Sequence, residues 1–282
     1  MRRLTTVAET KAALGAARAD GRTVGLVPTM GYLHAGHASL VERAAAECDI
    51  VAVTIFVNPL QFAAGEDLDA YPRDLEGDAA VAERSGADVL LVPTEEEMYP
   101  VPVLTSVDVA GLTASLEGAT RPTHFRGVAT VVAKLFNISG PCRAYFGEKD
   151  FQQLAVIRRM ALDLSFPVDV VGCATVREPD GLALSSRNAY LTPAQRAAAP
   201  VLHWALVAGA AAVVSGERDA GAVRDLVAEL ITAERHAELD YAEVVDAATL
   251  APVDPVAGEL RLLAAARFGR ARLIDNVAVL AD

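Results

Sequence analysis

The first 175 residues alternate between two hydrophobic rhythms, and that alternation leaves few folds open. Short β-rich apolar runs stand at residues 24–27, 50–57, 89–92, 142–146 and 168–176. Helical spacing fills residues 40–47, 75–85, 128–138 and 151–164 between them. Strand, helix and strand in repeated order predict βαβ units and a parallel sheet. In such sheets ligands bind at the carboxyl ends of the strands. The loops richest in chemistry all follow strands, at residues 28–37, 58–62 and 147–150.

The turn cluster Glu178-Pro179-Asp180-Gly181 breaks this pattern. Thr192-Pro193-Ala194-Gln195 then reads as a helix start, with Thr as cap and Pro in the first turn. Helical stretches follow to residue 216 and over 219–238, then strand-like runs at 241–245, 260–266 and 271–274. That order predicts a first domain over 1–175 and a smaller α+β domain over 176–282.

Pro28-Thr29-Met30-Gly31-Tyr32-Leu33-His34-Ala35-Gly36-His37 is the most telling of the strand-to-helix loops. Its two histidines fall on one face of a first helical turn. Unpaired backbone N–H groups and the positive end of the helix dipole favour an anion there, and the glycines admit a ligand to the backbone. Imidazoles at such a place suit a phosphate that gains charge in a transition state. A zinc site would want a third ligand, and neither His-Glu-x-x-His nor Cys-x-x-Cys is present. The glycine spacings of a dinucleotide fingerprint and of a P-loop are also missing.

Three further segments carry polar chemistry. Asn58-Pro59-Leu60-Gln61 ends a strand with two amides, which can serve a carboxylate or hydroxyl or simply form a turn. In Gly147-Glu148-Lys149-Asp150-Phe151-Gln152-Gln153, Lys149 can neutralise phosphate and Asp150 can hold ribose hydroxyls. In the run from Asp180 to Asn188, Ser185, Ser186 and Arg187 on a glycine-containing loop read as a clamp for outer phosphates. The polar stretch 116–127 and Tyr71-Pro72-Arg73-Asp74 read first as solvated loops.

The formal net charge of −12 argues against a nucleic-acid-binding surface, which needs a basic stripe. It leaves room for a basic pocket, to which Lys149, Arg158, Arg159 and Arg187 could contribute. Cys48, Cys142 and Cys173 are odd in number and widely spaced, so buried free thiols are expected. The longest apolar run, 204–214, is too short to cross a membrane, and no signal core follows Met1-Arg2-Arg3-Leu4. A cytoplasmic chain with no membrane and no nucleic-acid partner is expected.

In this order, the segments at 28–37, 56–62, 71–73, 117–127, 147–154 and 180–188 resemble the pantothenate synthetase (pantoate–β-alanine ligase) family of nucleotidylyltransferases. The resemblance covers nearly the whole chain and softens beyond Asn188. Tyr32 stands where a small residue is usual and Leu184 where methionine is common, both at hydrophobic lining positions. The resemblance implies a Rossmann-like parallel-sheet nucleotidylyltransferase domain and ATP-dependent ligation of pantoate and β-alanine through a pantoyl adenylate. Magnesium would accompany the ATP, its protein ligands being unknown, and a homodimer is the family's habit.

Residue by residue, the resemblance implies that His34, His37 and Lys149 are catalytic, with His37 the candidate proton donor. Pro28, Thr29, Met30, Gly31, Gly36, Gly147, Glu148 and Asp150 would line the nucleotide, with Val176 near adenine and Leu184 close by. Ser185, Ser186 and Arg187 would hold the β- and γ-phosphates. Gln61, Gln153 and Met30 would bind pantoate, and Gln61 would also place β-alanine. A different small-acid adenylyltransferase, or a nucleotide-sensing protein with a degenerate site, remains open to the same residues; the catalytic polar groups are all present.

Overall fold

In the computed structural model of the chain, which describes residues 1–63, 66, 68–69 and 71–282, the alternation becomes a six-stranded parallel sheet. Its strands are β1 (Arg2–Leu4), β2 (Val24–Thr29), β3 (Ile50–Ile55), β4 (Val89–Leu91), β5 (Cys142–Gly147) and β6 (Val168–Cys173). The helices of this part are α1 (Val7–Ala19), α2 (Ala35–Glu47), α3 (Leu75–Arg84), α4 (Glu95–Met98), α5 (Glu117–Thr120), α6 (His124–Ser139) and α7 (Phe151–Asp163). Strand order is β1-β4-β3-β2-β5-β6, and every neighbouring pair is parallel.

Pleating sends alternate side chains to opposite faces, and both faces are covered. Leu26, Ala52, Leu91, Ala144 and Phe146 join a core with Leu14 of α1, Val128, Val132 and Phe136 of α6, and Leu154 and Ile157 of α7. Val27, Val51, Val53, Leu90 and Tyr145 face the other way, onto Leu40, Val41 and Ala44 of α2 and Ala79 and Ala82 of α3. Burying one such Leu or Val contributes about 1.5–3 kcal/mol relative to exposure. Of the folds this rhythm allows, the chain takes the open, doubly wound sheet, with β1 and β6 at its edges.

The chain divides into two compact units: Met1–Glu148 with Gln152–Ala174, and Thr175–Asp282 with Lys149–Phe151. In the second unit, α8 (Pro193–Ala198), α9 (Val201–Val214) and α10 (Ala220–Thr232) accompany an antiparallel sheet of β7 (Glu238–Asp246), β8 (Gly258–Phe268) and β9 (Ala271–Ala281). Thr192 caps α8 in a reciprocal capping box with Gln195, with Pro193 in the first turn, as its sequence predicts. The core joins Leu202, Leu206 and Val213 of α9 to Val223, Val227 and Ile231 of α10 and to Leu260, Leu262 and Ala264 of β8.

Several expectations shift. Residues 193–214, helices α8 and α9 with the two-residue turn between them, make a 22-residue stretch long and apolar enough by length and composition to cross a membrane. Here one side of it is spent on the core, with Leu202, Ala205, Leu206, Gly209 and Val213 buried. Helix α10 ends at Thr232 and gives way to β7 at Glu238, so the helix expected to 238 is shorter. Strand β9 runs on to Ala281, well past the expected 274. The cysteines are free, but only Cys173 is buried; Cys48 and Cys142 are half-buried. Burial in apolar surroundings pushes the Cys142 thiol up to about 12, which keeps it unreactive.

Candidate active site

The strand order reverses between β2 and β5. Strand β2 pairs with β3 through Thr29, but with β5 only at Gly25 and Leu26. Strand β5 continues beside β6 to Gly147. Pro28 has no N–H to offer a neighbour, so the β2–β5 ladder lapses before it. The gap is the switch point at which open α/β sheets take their ligands. Both loops that border it, after Thr29 and after Gly147, hold residues singled out in the sequence.

The first loop is fixed at both ends. The Thr29 hydroxyl donates to the Thr54 carbonyl at 2.7 Å and accepts from the Gly31 N–H at 3.2 Å. Gly31 has φ +87, and a Cβ there would meet the Asp78 carboxylate at 2.9 Å. That carboxylate, from α3 and only 3% exposed, accepts the Tyr32 and Leu33 N–H groups at 2.8 and 2.5 Å. Charge-assisted bonds to backbone offset the cost of burying Asp78 and lock the loop. Tyr32, expected as a lining residue, takes φ 53 and is 37% exposed.

His34 is the N-cap of α2 and His37 its third residue, and the two cap each other's backbone. His34 Nδ1 accepts from the Gly36 N–H at 3.1 Å, and His37 Nδ1 accepts from the His34 N–H at 3.3 Å. The ring centroids lie 4.1 Å apart. An Nδ1 that accepts carries no proton, so each neutral ring holds its proton on Nε2. Histidines three apart thus become two oriented Nε2–H donors at a helix N-terminus. Gly147, at the end of β5, has open space where a Cβ would be.

Gln61 is buried in a short 3-10 turn (Pro59–Gln61) after β3, held from every side. Its Oε1 accepts from Asn58 Nδ2 at 3.3 Å, and its Nε2 donates to the Met30 sulfur at 2.7 Å. Its carbonyl accepts from His124 Nδ1 at 3.0 Å and from Arg121 at 3.3 Å. Asn58 is itself saturated, donating to the Gly127 carbonyl at 3.1 Å and accepting from the Tyr99 hydroxyl at 2.9 Å. Arg121 is pinned by Glu66 at 2.5 Å, which holds that carboxyl below its usual range. Burial, and then the Arg121 charge, lowers His124 to about 4, so it stays neutral at pH 7. Helix α6 comes so close that a Cβ on Gly127 would stand 2.1 Å from the Leu60 carbonyl oxygen.

The adjacent glutamines on α7 divide their labour. Gln152 is buried and spent on structure, donating to the Leu112 and Ser115 carbonyls at 2.8 Å each and accepting from Glu117 N–H at 3.0 Å. Gln153 is half-buried, and no hydrogen bond among the described residues engages its amide.

In the second unit, Lys149 lies in a 3-10 turn over Glu148–Asp150, its ammonium 3.5 Å from the Asp150 carboxylate. Lys149 and Ser185 line one cavity, together with Asn188 and Asp275. Ser185 caps a 3-10 turn over Ser186–Tyr190, its oxygen accepting from Arg187 N–H at 3.3 Å. Val176 and Leu184 meet across the return of this loop, the Leu184 N–H donating to the Val176 carbonyl at 3.0 Å. Leu184, Ser185, Ser186 and Arg187 are all half-buried. Arg159 instead pairs with Asp163 on the surface at 2.7 Å, and exposed Arg158 reaches the Val170 carbonyl at 3.5 Å, so α7's arginines are spent on local structure. Among the described residues, no group of three His, Cys, Asp or Glu is arranged to hold a metal ion.

Sequence reasoning missed Asp78, offered Asn58 as a substrate-facing amide or a turn residue where it is bonded to Gln61, Gly127 and Tyr99, and left Arg121 and His124 without roles. Arg121 and His124 stood in a stretch read as solvated, and only their bonds to the Gln61 carbonyl reveal their purpose.

The sequence and the fold are similar to those of known proteins. The family model described as pantoate-beta-alanine ligase matches residues 2–278. A pantothenate synthetase of Heliobacterium modesticaldum is 56% identical over 260 residues, 92% of each chain. That of Moorella thermoacetica is 52% identical over 98% of each. The crystal structure of pantothenate synthetase from Thermus thermophilus superposes with a TM-score of 0.94 at 52% identity, covering 99% of this chain and 100% of that one. A Francisella tularensis pantoate-beta-alanine ligase, solved with beta-gamma ATP and beta-alanine, gives a TM-score of 0.80 at 31% identity, over 98% and 97% of the two chains. By sequence and by fold, the chain belongs to the pantoate–β-alanine ligase family.

Proposed function

We propose that the chain joins pantoate to β-alanine at the expense of ATP, with the two histidines, Lys149 and Gln61 as the principal working groups. A carboxylate oxygen of pantoate attacks the α-phosphorus of ATP, the bond to the bridging oxygen breaks, and pyrophosphate leaves. The β-alanine amine then attacks the acyl carbon of the adenylate, the acyl–oxygen bond breaks, and AMP departs while the amine gives up its proton. No side-chain nucleophile is needed, because the adenylate already carries a good leaving group. Catalysis is positioning and charge stabilisation.

The observation that carries this reading is the reciprocal capping of His34 and His37, which fixes both imidazoles, Nδ1 to backbone N–H, at the N-terminus of the helix that follows β2. Imidazoles so fixed suit phosphate oxygens that gain charge, with His37 the candidate proton donor. Gln61 supports the acid-binding role: its N–H rests on a thioether, a weak acceptor that a carboxylate or hydroxyl replaces at little cost. Gln153 would complete the pantoate site with Met30, and Gln61 would also place β-alanine. Pro28, Thr29, Gly31, Gly36, Gly147 and Glu148 would line the nucleotide, with Asp150 on ribose, and Val176 and Leu184 near adenine. Lys149 would meet the leaving oxygen, and Ser185, Ser186 and Arg187 the β- and γ-phosphates.

Hydroxyls and cations fit a triphosphate that brings Mg2+ on its own oxygens better than a protein-built cage, which would want clustered carboxylates. When bound, the ion neutralises triphosphate charge. A homodimer in the cytoplasm belongs to the same reading and rests on the family resemblance; sedimentation tests the dimer. In the expected division, 1–175 would carry the ATP- and pantoate-binding residues and 176–282 the phosphate-clamping loop, with Lys149 grouped in the second unit beside that loop. ATP–pyrophosphate isotope exchange tests the chemistry. Exchange should occur with pantoate present and β-alanine absent, and exchange that demands β-alanine would overturn the adenylate-first order.

A further inference from the structure

We infer that Asp275 and Asn276, neighbours on β9, are positioning residues that set the two phosphate-binding elements of the second unit. Asn276 acts on the backbone of Lys149, and Asp275 acts, through Arg177, on the loop that carries Ser185. The inference rests on the phosphate roles given above to Lys149 and the serine loop.

Asn276 is 3% exposed, and its Nδ2 donates to the Lys149 carbonyl at 2.8 Å. Its Oδ1 accepts from Arg261 Nε at 2.6 Å, and the Arg261 guanidinium lies 4.1 Å from the centroid of the Phe151 ring. The turn bearing Lys149 is therefore held twice: at its own carbonyl, and two residues later at Phe151. A lysine on a flexible stem is a poor electrostatic catalyst unless its base is fixed, since the ammonium must meet the leaving oxygen without reorganising.

Asp275 is 4% exposed and accepts both Arg177 nitrogens, at 2.6 and 2.9 Å. The same Arg177 donates to the Gly181 carbonyl at 3.0 Å. Arg177 and Ala183 form the bridge at the root of the return that leads into Ser185. Asp275 also accepts the Asn276 N–H at 2.7 Å, so the two anchors are coupled through one peptide. Buried polar residues at consecutive positions of an otherwise apolar strand cost stability unless each is paired. Both are paired, and the partners they hold are the lysine turn and the root of the serine loop. The cavity lined by Lys149, Ser185 and Asp275 is what the two anchors share.

The test is a double-mutant cycle on single-turnover adenylate formation in the full chain, with ATP and pantoate. Asn276→Ala should slow adenylation roughly ten-fold, as loss of one buried hydrogen bond can, and leave the pantoate KM unchanged. In a Lys149→Ala background the same substitution should cost nothing further, because a residue that acts through Lys149 has nothing left to position. Asn276→Asp keeps an acceptor for Arg261 but turns a carboxylate on the Lys149 carbonyl; it should be at least as slow as Asn276→Ala while melting near the wild-type temperature. Asp275→Asn should instead raise the ATP KM several-fold more than it lowers kcat. If Asn276→Ala or Asn276→Asp is folded and adenylates at the wild-type rate, or if its effect adds fully to that of Lys149→Ala, the inference fails. A Lys149→Ala chain with wild-type adenylation would instead overturn the role of Lys149 itself, a separate result.

Discussion

A single carbonyl shows how much one residue's setting can matter. Gln61 presents its amide because His124 and Arg121 hold the carbonyl of the same residue. His124 has a folded value near 4, below the ordinary 6.5. Between those values the unfolded chain binds a proton that the folded chain does not. Stability must then fall as pH drops from about 6.5 to about 4, by about 3 kcal/mol from this group. Urea melts of the wild type and of His124→Asn, whose amide can keep the bond to Gln61, should differ in slope over that window and converge above pH 7. Gln61→Ala and Gln153→Ala should weaken pantoate use and leave ATP affinity by calorimetry nearly intact. Lys149→Ala should slow adenylation by roughly 10²–10³-fold, about 3–4 kcal/mol, by analogy with the loss of one oxyanion donor. Arginine need not restore it, since a planar fork does not replace a compact ammonium. Rapid-quench measurement of pantoyl adenylate decides the point.

Among elements, the packing of α6 on the turn at Pro59–Gln61 is the tightest tie in the acid-binding half. Gly127→Ala would drive a methyl into the Leu60 carbonyl, so the turn must move. We expect a stability loss of about 1–3 kcal/mol and a raised pantoate KM, read by thermal melts and steady-state kinetics. The elements legible in the sequence are those with contrast. Strands β2, β3 and β5 are apolar runs between polar turns, and the histidine loop stands where one of them ends. Strand β1 is three residues with Leu4 alone buried, and α1 buries Thr10, Leu14 and Ala17 in an alanine-rich stretch, so neither stands out from its surroundings. Strand β9 looked finished at residue 274 because Asp275 and Asn276 break its apolar run. Those two are buried and bonded, and the strand continues beyond them. Asp78 was hidden for a similar reason, since its partners are backbone groups 45 and 46 residues away. Pattern reading sees what a side chain is; it does not see the distant carbonyl or N–H that the side chain serves.

For the whole molecule, the separate cores of the two units predict that ligands act unequally on them. ATP should slow hydrogen exchange and proteolysis in the loop from Asp180 to Asn188, where half-buried Ser185, Ser186 and Arg187 sit on a short 3-10 turn. Exchange unaltered by saturating ATP would remove any closing role for that loop. The largely apolar 22-residue stretch 193–214, which holds α8 and α9, leaves the ribosome before β8 and β9 exist to cover it. Until residue 281 is made, this stretch resembles a membrane segment in length and greasiness, and a nascent chain must be kept from treating it as one. A chain stopped at residue 257 should therefore float with lipid vesicles or ride on a chaperone, whereas the full chain, with Leu206 and Val213 buried, should do neither.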